Sequence, residues 1–420
     1  MSYVRRILDD ELDDLMDGLP AIAIEGAKGV GKTATASARA DSVISLDSVA
    51  TREIIESDPQ LALGHGHTTF IDEWQYVPDV WNLVRHAVDN GAVPGRFLLA
   101  GSATPKPKVK LHSGAGRIVR LMLRPMSLPE RAIETPTVSM RALLSGGADI
   151  AGMTDIGTAD YAQEICASGF PGIRSATTRL RARLLDSYID HIVDHEIPGM
   201  GETVRRPTSL KQWLTAYGIA TATTASYASL LSAATPGESQ KPSKPTTMNY
   251  RDLLQRVWVL DPVPAWSPVL SSLKALGQAP KHHLVDPALT VRLAGASVDS
   301  LLRGDGPEAG QGVFLGALFE SLAAQTVRVL AQACEARVSH ARLQGGQHEI
   351  DLIVEGPGLR ILAIEVKLST AVRPADVVQL NWLEQQMPDR LIDKVLINTG
   401  AYAYRRKDGV AVVPLALLGL

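Results

Sequence analysis

The sequence predicts an α/β protein: a parallel sheet built around a phosphate-binding loop, a helical middle, and a smaller α/β unit at the C-terminal end. Three observations predict it. Residues 26–33 read GAKGVGKT directly after the apolar run Leu19–Ile24, as a strand-to-helix turn requires. Short apolar strands alternate with helical stretches up to about residue 130, the pattern of crossover connections. After residue 300 an apolar helical stretch leads into two strands that carry acids and a lysine.

Taken in order, the N-terminal stretch MSYVRRILDDELDDL is a charged amphipathic helix. The loop that follows the first strand fills the pattern G-x-x-x-x-G-K-[ST] with Gly26, Gly31, Lys32 and Thr33. Its glycines free the backbone so that the N–H groups of Gly26, Ala27, Lys28, Gly29, Val30 and Gly31 can face phosphate oxygens. Lys32 is expected on the β- and γ-phosphates and the Thr33 hydroxyl on Mg²⁺. The expected ligand is therefore a nucleoside triphosphate, ATP, with Mg²⁺. No guanine-reading N-K-x-D motif is present.

The next strand, TTFIDEWQ (68–75), ends in two acids. Asp72 is expected to contact the Mg²⁺ shell and Glu73 to polarise the attacking water. A third strand, Phe97–Gly101, ends at Ser102, a polar residue placed to sense the γ-phosphate. The last strand of this unit is expected at Ile118–Leu123, before the turn Arg124-Pro125.

Residues 1–135 thus read as the nucleotide-binding core. Residues 136–206 read as a helical lid, with helices at Met140–Leu144, Asp160–Ser168 and Thr178–Glu196. Residues 207–300 hold three short helices, near Ser209–Tyr217, Ser226–Ala233 and Thr247–Leu254. They lead into the extended piece Val257–Leu260, a winged-helix-like order. The insertion TPGESQKPSKP within it argues against sequence-specific reading of DNA by this module.

Residues 301–420 hold a second constellation. Glu349–Val354 and Ile361–Lys367 read as consecutive strands, with Glu365 and Lys367 on one face and Asp351 brought to them by a hairpin. Glu320, on the preceding helix, adds a third acid. This D…E-x-K grouping resembles the restriction-endonuclease-like PD-(D/E)XK nuclease fold. There Glu320, Asp351 and Glu365 would hold Mg²⁺, with Glu365 and Lys367 as catalytic groups.

Composition bounds the rest. The chain has 420 residues, enough for about two to four domains. Hydrophobic residues make up 45% and aromatic residues 5%, so the cores rest on Ala, Leu and Val. A net charge of −3 gives no global basic field, so any DNA contact must be local. Two cysteines, Cys166 and Cys334, fit a reducing compartment better than a disulfide framework. No apolar stretch is read as approaching the roughly 18 residues of a membrane span. The expectation is a cytoplasmic protein with no membrane partner.

The motif order resembles a bacterial and archaeal family of AAA+-like ATPases that carry a C-terminal domain of unknown function. The stretches that carry the resemblance are GAKGVGKT, FIDEWQ, LLAGSA, GRIVRLMLRPMSLPE, GFPGIR, LLDSYI and HEIDLIVEG…LAIEVKLS, covering nearly the whole chain. The resemblance implies an ATPase core, a lid, a winged-helix segment and a nuclease-like end. It further implies Arg117 as a finger completing a neighbouring subunit's site, hence a homo-oligomer, and Arg174 as a nucleotide-facing residue of the lid.

The expected function is Mg²⁺-dependent ATP hydrolysis coupled to a DNA-directed, nuclease-like domain. The alternative is a nucleotide-dependent switch or scaffold whose C-terminal domain binds without cutting. The pairs His65/His67 and His282/His283 lack further ligands and are set aside as metal sites. The basic loop Lys106–Lys110 is the main local candidate for a phosphate backbone.

Overall fold

A computed structural model describes residues 3–104, 114–199, 204, 206–235, 243–267, 279–305, 313–343 and 345–420. The basic loop at 106–110 and most of the TPGESQKPSKP insertion lie outside the described residues.

The N-terminal sheet has five parallel strands: β1 (Ala21–Glu25), β2 (Ser42–Ser45), β3 (Thr69–Asp72), β4 (Phe97–Gly101) and β5 (Val119–Met122), in the order β2-β3-β4-β1-β5. Alternation along these strands sends side chains to two buried faces. Ala21, Ala23, Ile71, Phe97 and Leu99 face Trp81 and Val84 of the helix Asp79–Asp89. Ile22, Ile24, Phe70, Leu98 and Ala100 face the other way, toward Leu8 and Leu12 of the N-terminal helix. Each such Val, Leu, Ile or Phe side chain contributes about 1.5–3 kcal/mol when fully buried. The register sets Glu25 beside Gly101 and Asp72 beside Ala100, so the carboxyl ends of β1, β3 and β4 share one edge.

The expected lid region divides. Thr158–Ala167, Pro171–Arg174 and Thr178–His191 are helices, the last continuing through a π-helical turn at Ile192–Glu196. Residues 136–156 do otherwise. Strand β6 (Val138–Ser139) pairs with the chain's last strand, and β7 (Gly152–Met153) joins the C-terminal sheet. The helix between them, Met140–Ser145, buries Met140 and Leu143 in the C-terminal core. Two-residue strands leave no periodicity to read, which is why this stretch reads as lid.

The middle region forms helices at Pro207–Ile219, Tyr227–Ala234 and Lys244–Arg256. Two antiparallel bridges follow, Leu260 with Leu284 and Val263 with Lys281.

The C-terminal sheet comprises β7 with β8 (Arg337–Arg342), β9 (Glu349–Glu355), β10 (Ile361–Val366), β11 (Leu391–Asn398), β12 (Tyr402–Arg405) and β13 (Ala411–Pro414). The order is β7-β12-β13-β11-β10-β9-β8, and β14 (Leu418–Gly419) pairs with β6. Strands β8, β9 and β10 are antiparallel, while β10–β11 and β11–β13 are parallel. The helix Val313–Gln332 packs on one face and Val378–Gln386 on the other. The former corrects an expectation: its 20 residues are long and apolar enough to cross a membrane. Two thirds of that stretch is buried against the sheet and neighbouring helices, because Leu318, Leu322 and Val327 fill the core.

One ionic cluster ties three regions together. Asp261 of the middle region accepts from Arg124, just past β5, at 2.7 Å and pairs with Arg328 of the helix Val313–Gln332 at 2.8 Å. Burial alone would raise the Asp261 carboxyl, but the two guanidiniums outweigh it and hold it at about 2. The sign follows: a depressed carboxylate stabilises the fold above its ordinary value of 3.8, and that contribution is lost as pH falls toward 2. Asp261→Asn should therefore cost about 2 kcal/mol near neutrality, about 5 °C in melting temperature. The deficit relative to wild type should shrink in melts run between about pH 4 and pH 2.

Candidate functional site

The phosphate-binding loop leaves β1 at the shared carboxyl edge. Gly26 has φ +148°, and a Cβ there would lie 2.2 Å from the Leu123 carbonyl oxygen, so only glycine lets the loop pass the end of β5. Gly31, at φ +109°, turns the chain into the helix Lys32–Ser37. The Lys32 ammonium is buried and donates to the carbonyl oxygens of Gly26 at 2.7 Å and Ala27 at 2.9 Å. Burial pushes its pKa down to about 8, against the pull of Glu73 and Asp72.

Of the two acids at the end of β3, Asp72 bonds Thr33 of the phosphate-binding motif and Glu73 turns toward β4. The Thr33 hydroxyl donates to Asp72 Oδ2 at 2.8 Å. Burial raises the Asp72 carboxyl, so a cation there would restore its charged form. A hydroxyl and a carboxylate side by side are hard oxygen donors, and they fit Mg²⁺. Glu73 sits at φ +53°, an uncommon conformation for a non-glycine residue, which turns its side chain toward the end of β4. There Ser102 donates to Glu73 Oε2 at 2.6 Å, and the Gln75 amide also reaches that oxygen. Lys32, Thr33, Asp72, Glu73 and Ser102 thus form one constellation.

Other residues at the loop were not legible beforehand. The buried Arg6 guanidinium donates to the Val30 carbonyl at 2.8 Å, to the Arg124 carbonyl at 2.8 Å, and pairs with buried Glu130 at 3.0 Å. From the lid, the Tyr188 hydroxyl donates to the Lys28 carbonyl at 3.2 Å, and Glu196 of the π-helical turn pairs with the Lys28 ammonium. A π-helical turn is frequent at functional positions, but only the structure reveals it.

The two arginines implied by the family resemblance lie elsewhere. Arg174 is held by Glu164 at 2.6 and 3.0 Å. It lines a cavity of about 630 Å³ that no residue of the loop 26–33 borders. The lid's contacts to the loop run through Tyr188 and Glu196 instead. Arg117 stands at the amino end of β5, the sheet edge opposite the loop, where it is half-exposed and donates to Asp89 Oδ1 at 2.8 Å.

The C-terminal acids are also brought together. Asp351 Oδ2 accepts from the Val366 N–H at 2.9 Å, and Lys367 donates to Glu365 Oε2 at 2.9 Å. Lys281, which sequence reasoning passed over in favour of its histidine neighbours, enters the centre. Its ammonium, 1% exposed as a side chain, lies 2.8 Å from Glu320, 3.0 Å from Asp351 and 3.1 Å from Glu349. Burial and the nearby Asp351 charge push Glu320 up to about 8 and raise Glu365. Asp351 goes the other way: burial opposes its ionisation, but Lys281 and Lys367 outweigh it and hold it at about 2.

A divalent ion needs oxygens at about 2.0–2.6 Å converging on one point, and Lys281 fills that point. As placed, Glu320, Asp351 and Glu365 do not fit Mg²⁺. Among the described residues no group of three or more His, Cys, Asp or Glu side chains is arranged to hold a metal ion. His65 and His67 stay in a loop, and His282 binds the Ala225 carbonyl oxygen.

Comparison with known proteins agrees with this geometry at the N-terminal end. Residues 19–132 match the model of an AAA domain. Residues 158–300 and 315–418 match two domains of unknown function, DUF8612 and DUF4143. Uncharacterized proteins of Mycobacterium bovis and Mycobacterium tuberculosis are each 25% identical over 270 residues, 64% of this chain and 53% of theirs. The chain spans about half the length of these curated relatives. Among solved structures, the Walker-type ATPase of Pyrococcus abyssi is similar at 12% identity with a TM-score of 0.37, covering 68% of this chain and 94% of that one. Residues 19–132 thus form an α/β unit that carries a P-loop and matches the model of an AAA domain.

Two outcomes are expected at this site. Glu73→Gln should keep nucleotide binding and lower phosphate release about a hundredfold or more, read by fluorescence titration beside a phosphate assay. ATP binding should take up a proton above about pH 8, where Lys32 is neutral in the free protein, and none from Lys32 at pH 6.5. Calorimetry in two buffers of different ionisation enthalpy measures that uptake.

Proposed function

We propose that this protein hydrolyses ATP with Mg²⁺ and uses the nucleotide cycle to control how its C-terminal domain engages DNA. The observation that supports the first half is the single constellation of Lys32, Thr33, Asp72, Glu73 and Ser102 at the carboxyl edge of the sheet. In this reading Lys32 leaves its carbonyl partners for the phosphates, and Thr33 and Asp72 hold the cation. Glu73, turned by its backbone and oriented by Ser102, takes the proton of the attacking water. Bound there, Mg²⁺ supplies charge neutralisation on the phosphate oxygens.

Coupling to the C-terminal domain has a physical route. Arg6 bonds both the loop at Val30 and the Arg124 backbone, and the Arg124 side chain holds Asp261, which Arg328 shares. A displacement of the loop by nucleotide therefore acts on the helix that also carries Glu320. We further propose that Arg117 acts across a subunit boundary, which makes the active species a homo-oligomer.

The DNA-directed half rests on the order helix, β8, β9, β10, helix, β11, which resembles a restriction-endonuclease core, and on Glu320, Asp351, Glu365 and Lys367 meeting at one place. Cutting is the second reading. Those four residues favour it, while Lys281 at their centre favours binding without cleavage.

The test is phosphate release by the full chain with and without double- and single-stranded DNA, beside Glu73→Gln. DNA-stimulated turnover that vanishes in the variant supports the proposal. Turnover indifferent to both DNA forms would overturn the DNA half.

A further inference from the structure

The C-terminal carboxylate cluster has the side chains of a cation site and a cation already inside it. Glu320 comes from the helix Val313–Gln332, Glu349 and Asp351 from β9, and Glu365 from β10. The common neighbour of Glu320, Glu349 and Asp351 is a lysine from outside this sheet. Lys281 reaches in from the middle region, where its N–H and carbonyl each bond Val263 at 2.9 Å. The ammonium makes three contacts of 2.8–3.1 Å to three different carboxylates, the number of bonds an ammonium can donate.

A second observation points the same way. Glu365 is 3% exposed, and its Oε1 has no hydrogen-bond partner among the described residues, although its other oxygen is bonded by Lys367. A buried carboxylate oxygen without a donor is costly. It is a lone pair facing a cluster that one ammonium does not fully satisfy.

We propose that Lys281 is the resident cation of this cluster, standing where a divalent ion would otherwise sit, and that it keeps the C-terminal site metal-free. An ammonium brings one charge and directional donors, whereas a divalent ion would also draw Glu365 Oε1 into its shell. The same lysine joins the middle region to the C-terminal sheet, so metal entry and an intact junction exclude one another. This inference depends on neither ATP hydrolysis nor DNA binding.

The experiment is a Mn²⁺ titration of the full chain without nucleotide, read by the electron paramagnetic resonance of free Mn²⁺. It compares wild type, Asp351→Asn, Lys281→Met, and Lys281→Met combined with Asp351→Asn. Wild type should take up no Mn²⁺ that depends on Asp351. Lys281→Met should bind one ion per chain at least about thirtyfold more tightly, and the added Asp351→Asn should remove that ion. Two results overturn the proposal: stoichiometric binding by wild type that Asp351→Asn abolishes, or no Asp351-dependent binding by a folded Lys281→Met. If Lys281→Met melts too low to titrate, its melting temperature is followed across a Mn²⁺ series. A rise absent from the Lys281→Met/Asp351→Asn chain supports the assignment, and no rise overturns it.

Discussion

The buried Arg6 guanidinium is the interaction on which the arrangement depends. A charge at that depth is tolerated only when its donors are used. Arg6 uses them on the Val30 carbonyl, the Arg124 carbonyl and both oxygens of Glu130. Glu130 in turn accepts from the N–H groups of Ile7 and Ser127 and from the Ser127 hydroxyl. The N-terminal helix, the phosphate-binding loop and the exit from β5 are thereby one unit. Removing the guanidinium would leave Glu130 as a buried, uncompensated charge and the Val30 carbonyl without this donor.

From that unit the chain builds outward through shared cores, one running from Ile22 and Leu98 through Leu185 and Ile189 to Trp213 and Tyr250, and through ionic contacts at their margins. The Arg124–Asp261–Arg328 cluster joins core, middle region and C-terminal helix. Buried Arg131 pairs with Glu164 at 3.2 Å, and Asp286 accepts from Ser168 and Gly169, so the lid is tied to both neighbours. Such contacts have discrete partners and can be exchanged, whereas packed aliphatic cores resist sliding. Joints of this kind would serve the proposed passage of a nucleotide signal between domains.

How much of this was legible in the sequence follows from range. The P-loop constellation was readable because Lys32 and Thr33 close a local motif at the start of a helix, and Asp72, Glu73 and Ser102 sit at strand ends. The hairpin juxtaposing Asp351 and Glu365 was readable for the same reason. Lys281 and Arg6 were not, since each works on residues far away in the chain, and a lone lysine or arginine carries no periodic signal. Residues 136–156 were misassigned because strands of two residues join a sheet whose other members come some 250 positions later. The helix Val313–Gln332 was underestimated because Glu320 and Arg328 interrupt its apolar run, each for a specific partner.

The central claim is that the nucleotide loop and the bridged segments around Val263 and Lys281 are mechanically joined through Arg6, Arg124 and Asp261. Hydrogen exchange of Glu73→Gln with and without Mg-ATP tests it most directly. The account predicts altered protection in residues 259–263 and 279–285 as well as in the loop, and loss of the distant change when Asp261→Asn is added. Protection changes confined to residues 19–132 would contradict it.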